Sequence, residues 1–147
     1  MKLEINPVIT EHTDEVITNF LNQYNQEHAI SFEDEINEDV EIVIYDGEEI
    51  VGGIIGRSLW GTLEIKRLAV HPDYRHKGIG SKLISAAETE AKKRKCSYLS
   101  LNTFSYQAPD FYEKLGFIKV GTEEDFPRGF SRLFYQKKLE SKENDLD

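Results

Sequence analysis

The chain has 147 residues, 39% of them hydrophobic and 31% charged, which is the size and composition of one ordinary globular domain with room for a core. Its net charge of −9 argues against nucleic acid as the main partner, because phosphate binding wants a basic surface. No apolar run approaches the roughly 20 residues that span a bilayer, and the start Met1-Lys2-Leu3-Glu4-Ile5-Asn6 has no secretory pattern. The single cysteine, Cys96, excludes an internal disulfide and suits a cytoplasmic protein.

Taken in order, residues 2–9 alternate enough (Leu3, Ile5, then Val8-Ile9) for a first strand, with Pro7 marking an edge or bulge. Thr10 or Thr13 then caps a helix with Val16, Ile17, Phe20, Leu21 and Tyr24 on one face. Residues 31–39 form a short helix or an acidic loop. Glu41–Tyr45 and Ile50–Gly56 flank Asp46-Gly47, a hairpin signal, and the glycines of the second arm fit a bulge or a close backbone approach. Trp60-Gly61-Thr62 leads into a strand over Leu63–Val70. A helix over about Gly78–Lys95 puts Ile79, Leu83, Ile84, Ala87 and Ala91 on one stripe. The basic run Lys92-Lys93-Arg94-Lys95 falls at its end, where cations complement the helix dipole.

Tyr98–Phe104 follows as a strand, so strand, helix and strand imply a parallel pair joined by a right-handed crossover. Pro109 begins the next helix and Gly116 lies just past its end. Phe117–Val120 and Phe130–Tyr135 are the last strands, separated by the polar loop Glu123–Gly129. The expected fold is a single α/β domain over 1–140 with an acidic, disordered tail over 141–147. Its central sheet is mixed and mostly antiparallel, with a parallel pair at its centre and helices on both faces.

The informative stretch is Val70-His71-Pro72-Asp73-Tyr74-Arg75-His76-Lys77-Gly78-Ile79-Gly80-Ser81. A strand ends, a turn carries two glycines, and a helix begins. The first N–H groups of a helix have no internal partner and carry the positive end of its dipole, a ready site for phosphate or pyrophosphate. Gly78 and Gly80 leave room for a ligand at their backbone, and Arg75, His76 and Lys77 add positive charge. The dinucleotide pattern G-x-G-x-x-G is broken by Leu83, and the P-loop pattern is absent.

Arg75-x-x-Gly78-x-Gly80, directly after a strand ending at Val70, resembles the acetyl-CoA signature of the Gcn5-related N-acetyltransferases, the GNAT family. Ala108-x-x-x-Tyr112-x-x-x-Gly116-Phe117 resembles a second motif of that family, in the family's order and at a familiar separation. The resemblance covers residues 1 to about 140 and is weakest before residue 40. It implies acetyl-CoA as co-substrate and an amine acceptor, a small molecule or a protein, attacked directly in a ternary complex. The cofactor contacts it implies are Leu68, Ala69, Val70, Arg75, His76, Lys77, Gly78, Ile79, Gly80 and Ser81. Where many members have an asparagine three residues before the motif alanine, this chain has Ser105, with Asn102 one turn earlier; both are carried as cofactor contacts.

Transfer of an acetyl group from a thioester to an amine requires deprotonation of the amine, stabilisation of an oxyanion and protonation of the leaving thiolate. Glu64 matches the general base of the histone acetyltransferase branch, and strand alternation places it on the face of Lys66, Leu68 and Val70; an exposed carboxylate paired with a cation is the competing assignment. Tyr112 suits the thiolate, because a phenol of pKa ~10 can donate to it; a core tyrosine is the alternative. Cys96 reads as a core residue, His71 as a turn residue, and His12, His28 and His76 show no metal-ligand spacing. Acidic segments at Glu33–Asp39 and Glu123–Asp125 fall where the family builds its acceptor pocket, and the resemblance thus implies a cationic acceptor. The rival reading is a catalytically weak acyl-CoA-binding or regulatory module on the same fold, and a nucleotide-binding protein using the same turn is a third. No membrane partner or metal is expected, and dimerisation is left open.

Overall fold

The computed structural model describes residues 1–28 and 35–140. The expectations for residues 31–34 of the acidic segment and for the tail over 141–147 lie outside the described residues. The chain divides into two compact units, Met1–Glu33 and Asp34–Asp147.

In the first unit, α1 spans Glu11–His28. Thr10 is its cap: its Oγ1 accepts from Thr13 N at 3.3 Å, and its carbonyl accepts the first helical bond, from Asp14 N at 3.0 Å. Thr13 lies inside the helix. The strand predicted over residues 2–9 does not form. Pro7 has no N–H to donate, and a lone extended segment leaves its backbone groups without a ladder. No other strand is available among the described residues of this unit.

The second unit is built on six strands in the order β1-β2-β3-β4-β6-β5. The strands are β1 (Asp39–Asp46), β2 (Glu49–Leu59), β3 (Thr62–Val70), β4 (Tyr98–Phe104), β5 (Ile118–Glu124) and β6 (Ser131–Lys138). All neighbours are antiparallel except β3 and β4, which run parallel. The turn between β1 and β2 falls on Gly47 and Glu48, one residue later than predicted, with Gly47 at φ 62°. Trp60 and Gly61, both at positive φ (47° and 84°), make the second two-residue hairpin, whose twist matches that of its strands.

The crossover from β3 to β4 carries α2 (Ile79–Lys93). Its Leu83, Ile84, Ala87 and Ala91 are buried against Ile54, Leu63, Ile65, Leu99 and Leu101. The predicted apolar stripe is the face that covers the sheet. Lys95 (φ 61°) stops the helix in the left-handed conformation. The terminal carbonyls are then satisfied by Cys96 N to Ala91 O (2.8 Å) and Lys95 N to Lys92 O (3.0 Å). Arg94 adds a tie the dipole argument did not anticipate: its guanidinium donates to Glu90 Oε2 (2.8 Å), Glu38 O (2.8 Å) and Asp39 O (3.0 Å), joining the helix end to the start of β1. Cys96 is buried in the core beside it, where burial pushes its thiol pKa up. α3 (Pro109–Lys114) begins with Pro109 and is followed by Gly116 at φ 93°. Its Phe111 and Tyr112 pack against the same core.

Candidate active site

β3 loses one of its two partners halfway along. Thr62, Leu63, Glu64 and Ile65 pair with Tyr98, Leu99, Ser100 and Leu101 of β4, and there the pairing ends. Beyond it β4 continues against β6 as far as Phe104, while β3 continues against β2 as far as Val70. The two parallel strands therefore part, and their carboxyl ends flank an opening. In open α/β sheets such an opening is where ligands bind.

A bulge sets the geometry of the diverging half. Ile55 faces Arg67 and Gly56 faces Ile65, so Lys66 is an extra residue on β3. One extra residue flips every later side chain to the other face. Leu63 and Ile65 before the bulge, and Leu68 and Val70 after it, thus all point to the core. Glu64 does not share the face of Leu68 and Val70, as unbroken alternation predicted; it is exposed on the opposite face, between Arg57 of β2 and Ser100 of β4. Gly56 holds this arrangement, because a Cβ there would lie 2.3 Å from Glu64 O.

The backbone of the diverging half can be assigned to sides. His71 N donates to Val51 O of β2 at 2.8 Å, and successive N–H groups of a strand point alternately to its two neighbours. Ala69 therefore faces β2, whereas the N–H groups of Leu68 and Val70 point into the gap. Val70 O also lies on that side and accepts from Arg75 Nε at 3.3 Å.

From Val70 the chain passes through a short 3-10 turn, Pro72–Tyr74, capped by His71 Nδ1, which accepts from Asp73 N at 3.1 Å. His71 is a turn residue. Tyr74 Oη donates to Asp46 Oδ2 at the hairpin tip, and this bond holds the phenol pKa above its ordinary value. Lys77 Nζ lies 5.2 Å from the centre of the Tyr74 ring. His76 (φ 64°) and Gly78 (φ 77°) are left-handed, and Gly78 caps α2 without a side-chain hydrogen bond. The two glycines do different work. A Cβ at Gly78 would meet nothing within 4 Å, so its φ is what demands glycine there; a Cβ at Gly80 would lie 2.9 Å from Phe111 Cζ, so packing against α3 demands it.

These residues line a pocket of about 670 Å³ formed by Leu68, Val70, Arg75, His76, Gly78, Ile79, Gly80 and Ser81 together with Tyr74, Ala108, Phe111 and Lys114. The last four were not among the residues singled out for binding, although Ala108 belongs to the second motif and Phe111 stands beside its tyrosine. Ala69, Lys77, Glu64, Tyr112, Asn102 and Ser105 are not in the lining. Tyr112 is half-buried, edge-on to Phe111 (5.1 Å between ring centres) and to Phe117 (5.8 Å). Burial raises its phenol pKa, so it stays protonated through the neutral range. Asn102 is exposed on β4. The Ser105 hydroxyl accepts from Ser131 N at 2.9 Å, which ties it to β6. Of the acidic loop, Glu123 accepts from Arg132 Nε (3.0 Å) and Asp125 Oδ1 from Gly129 N (2.8 Å). Among the described residues no three His, Cys, Asp or Glu side chains gather as metal ligands, and no helix is long and apolar enough to cross a membrane.

The family model of the GNAT acetyltransferases matches residues 9–117. A blasticidin-S acetyltransferase of Streptomyces morookaense is 33% identical over 92 residues, 62% of this chain and 68% of that protein. The crystal structure of an acetyltransferase from Bacillus cereus superposes with a TM-score of 0.82 at 36% identity, covering 92% of this chain and 98% of that one. At the level of fold alone, an aminoglycoside 6'-N-acetyltransferase complexed with coenzyme A gives a TM-score of 0.64 at 19% identity, covering 94% and 97%. The chain is an acetyltransferase of the GNAT family.

Proposed function

We propose that this protein transfers the acetyl group of acetyl-CoA to the primary amine of a small molecule, by direct attack within a ternary complex. The observation that carries this reading is the parting of β3 from β4 beside the start of α2. The pocket on the α2 side of the sheet takes the CoA. Its pyrophosphate sits against the free N–H groups at the start of α2, with Arg75, His76 and Lys77 adding charge. Its pantetheine arm runs along the N–H groups of Leu68 and Val70, which face the gap. Ala69 contributes shape rather than a bond, since its backbone faces β2. Asn102 on β4 and Ser105 just past its end flank the gap, and the Ser105 hydroxyl, which already accepts from Ser131 N, keeps its proton to donate.

The amine approaches from the opposite face, which is the face of Glu64. Glu64 takes a proton from the ammonium, through water where the two are not in contact. The nitrogen lone pair attacks the thioester carbonyl carbon, and the oxyanion is held by an N–H of the diverging half of β3. Collapse breaks the C–S bond as the attacking nitrogen gives up its second proton to solvent, and the thiolate takes the proton of the Tyr112 hydroxyl, which solvent replaces. The family's coenzyme A complex and the antibiotic acceptor in the name of the Streptomyces relative support the donor and the acceptor class. The test is thiol release from acetyl-CoA across a panel of amines. Turnover with at least one small primary amine is expected; CoA binding with no turnover on any amine or peptide would turn the reading into one of an acyl-CoA-binding module.

A further inference from the structure

At the carboxyl end of β4 the chain gathers aromatic rings that the reaction above does not use. Phe104 lies 5.5 Å from Tyr106 with the rings 3° from parallel, and 6.1 Å from Phe126 at 14°. Phe130 meets Tyr106 edge-on at 5.0 Å. Arg132 lies over the ring of Phe126 at 4.3 Å and closes that end of the stack. These distances fall within the range of favourable aromatic pairs. Yet Tyr106, Phe126 and Phe130 keep 54%, 42% and 47% of their surface exposed. Exposed apolar residues scattered singly need no explanation, whereas rings grouped at the surface, here from the turn after β4 and the β5–β6 loop, mark an interaction site.

The position decides what they bind. Ser100 pairs with Glu64, and side chains at paired positions lie on the same face, so Ser100, Asn102 and Phe104 share the face of Glu64. Phe104 lies three residues past Leu101, the last β4 residue paired with β3, or about 10 Å at the rise of a strand. Charge is a poor alternative for recognition here, because Glu123 on β5 is held by Arg132 of β6 and Asp125 by the backbone N–H of Gly129. Resting on the proposed transferase reading, we infer that Tyr106, Phe126 and Phe130 hold a flat, conjugated ring of the acceptor. The acceptor is then an amine joined to such a ring by a short spacer.

Phenethylamine and 2-cyclohexylethylamine test this, since they share the amine and spacer and differ in the ring. Binding to the CoA-saturated protein is followed by saturation-transfer NMR, which needs no turnover. Phenethylamine should bind about 2- to 12-fold more tightly, the worth of one aromatic contact. Tyr106→Leu and Phe130→Leu should erase that preference with CoA affinity unchanged, and Tyr106→Phe should keep it. Equal binding of the two amines, or a preference that survives both leucine variants, overturns the inference. So does a fall in apparent size of the leucine variants on gel filtration with the preference intact, which would assign the rings to self-association. Thiol release is scored separately: its absence with the ring preference present defeats the transferase reading alone, and its presence without the preference defeats the ring site alone.

Discussion

The two halves of β3 have similar residues and opposite fates. Over Thr62–Ile65 the strand is paired on both sides, and its apolar members Leu63 and Ile65 are among the most buried residues of the protein. Over Lys66–Val70 it keeps only β2, and Leu68 and Val70 are merely half-buried. The inward-facing residues, Leu63 and Ile65 in one half and Leu68 and Val70 in the other, are equally apolar and do not separate the two. The difference is one extra residue at Lys66 and the end of the β4 ladder. A fully paired strand gives stiffness; a half-paired one exposes N–H groups at fixed positions, which is what an incoming extended ligand can bond. In the proposed reaction the first half supports Glu64 and the second meets the donor.

The comparison can be broken from either side of the sheet, and the largest effect is expected on the donor side. Tyr112→Phe removes only a hydroxyl from a packed ring, so CoA binding should hold while turnover falls about 10²–10⁴-fold, the usual range for general acid help. Because burial raises the phenol pKa, the group stays protonated below pH 10 and the loss should be constant from pH 6 to 9. Normal turnover would return Tyr112 to a purely structural role.

On the acceptor side, Glu64→Gln keeps shape and removes basicity. Its rate should fall about 10²-fold near pH 6, where few amines are free, and recover as the pH rises. A pH profile parallel to that of the unaltered protein would assign the base to another group.

The paired half can be strained directly. Gly56→Ala drives a Cβ into Glu64 O, so a denaturant titration should show a loss of about 1–3 kcal/mol, as overpacking usually does. An unchanged midpoint would mean that β2 and β3 are looser than their close approach implies. The smallest effect is expected at Arg75. Its exposed guanidinium should contribute a few-fold to CoA affinity at low salt, and Arg75→Ala should differ less from the unaltered protein as salt screens the charge. A difference that grows with salt would exclude an electrostatic role.

Most elements were legible because their signals are local. The apolar stripe of α2, the turn residues Gly47 and Gly61, and Pro109 and Gly116 around α3 each act within a few residues. Residues 2–9 misled because alternation reports only that one face is apolar, not that a partner strand exists. Glu64 was assigned to the wrong face for a related reason: alternation presumes an unbroken pleat, and a bulge at Lys66 leaves no mark in Leu-Glu-Ile-Lys-Arg-Leu. The role of Gly80 was hidden because Phe111, which forbids a side chain there, lies 31 positions away. The ring array was missed likewise, since Phe104 and Tyr106 meet Phe126 and Phe130 only through the pairing of β4 with β6. What could have found the pocket lining was already in view, as Ala108 and Phe111 belong to or adjoin the second motif.

Amide hydrogen exchange across β3, with and without CoA, tests the central claim most directly. If the diverging half receives the pantetheine arm, the Leu68 and Val70 amides should slow when CoA is added. Ala69, already facing β2, and Leu63 and Ile65, already buried, should change little. Protection spread evenly along β3, or absent from Leu68 and Val70 at saturating CoA, would contradict the account.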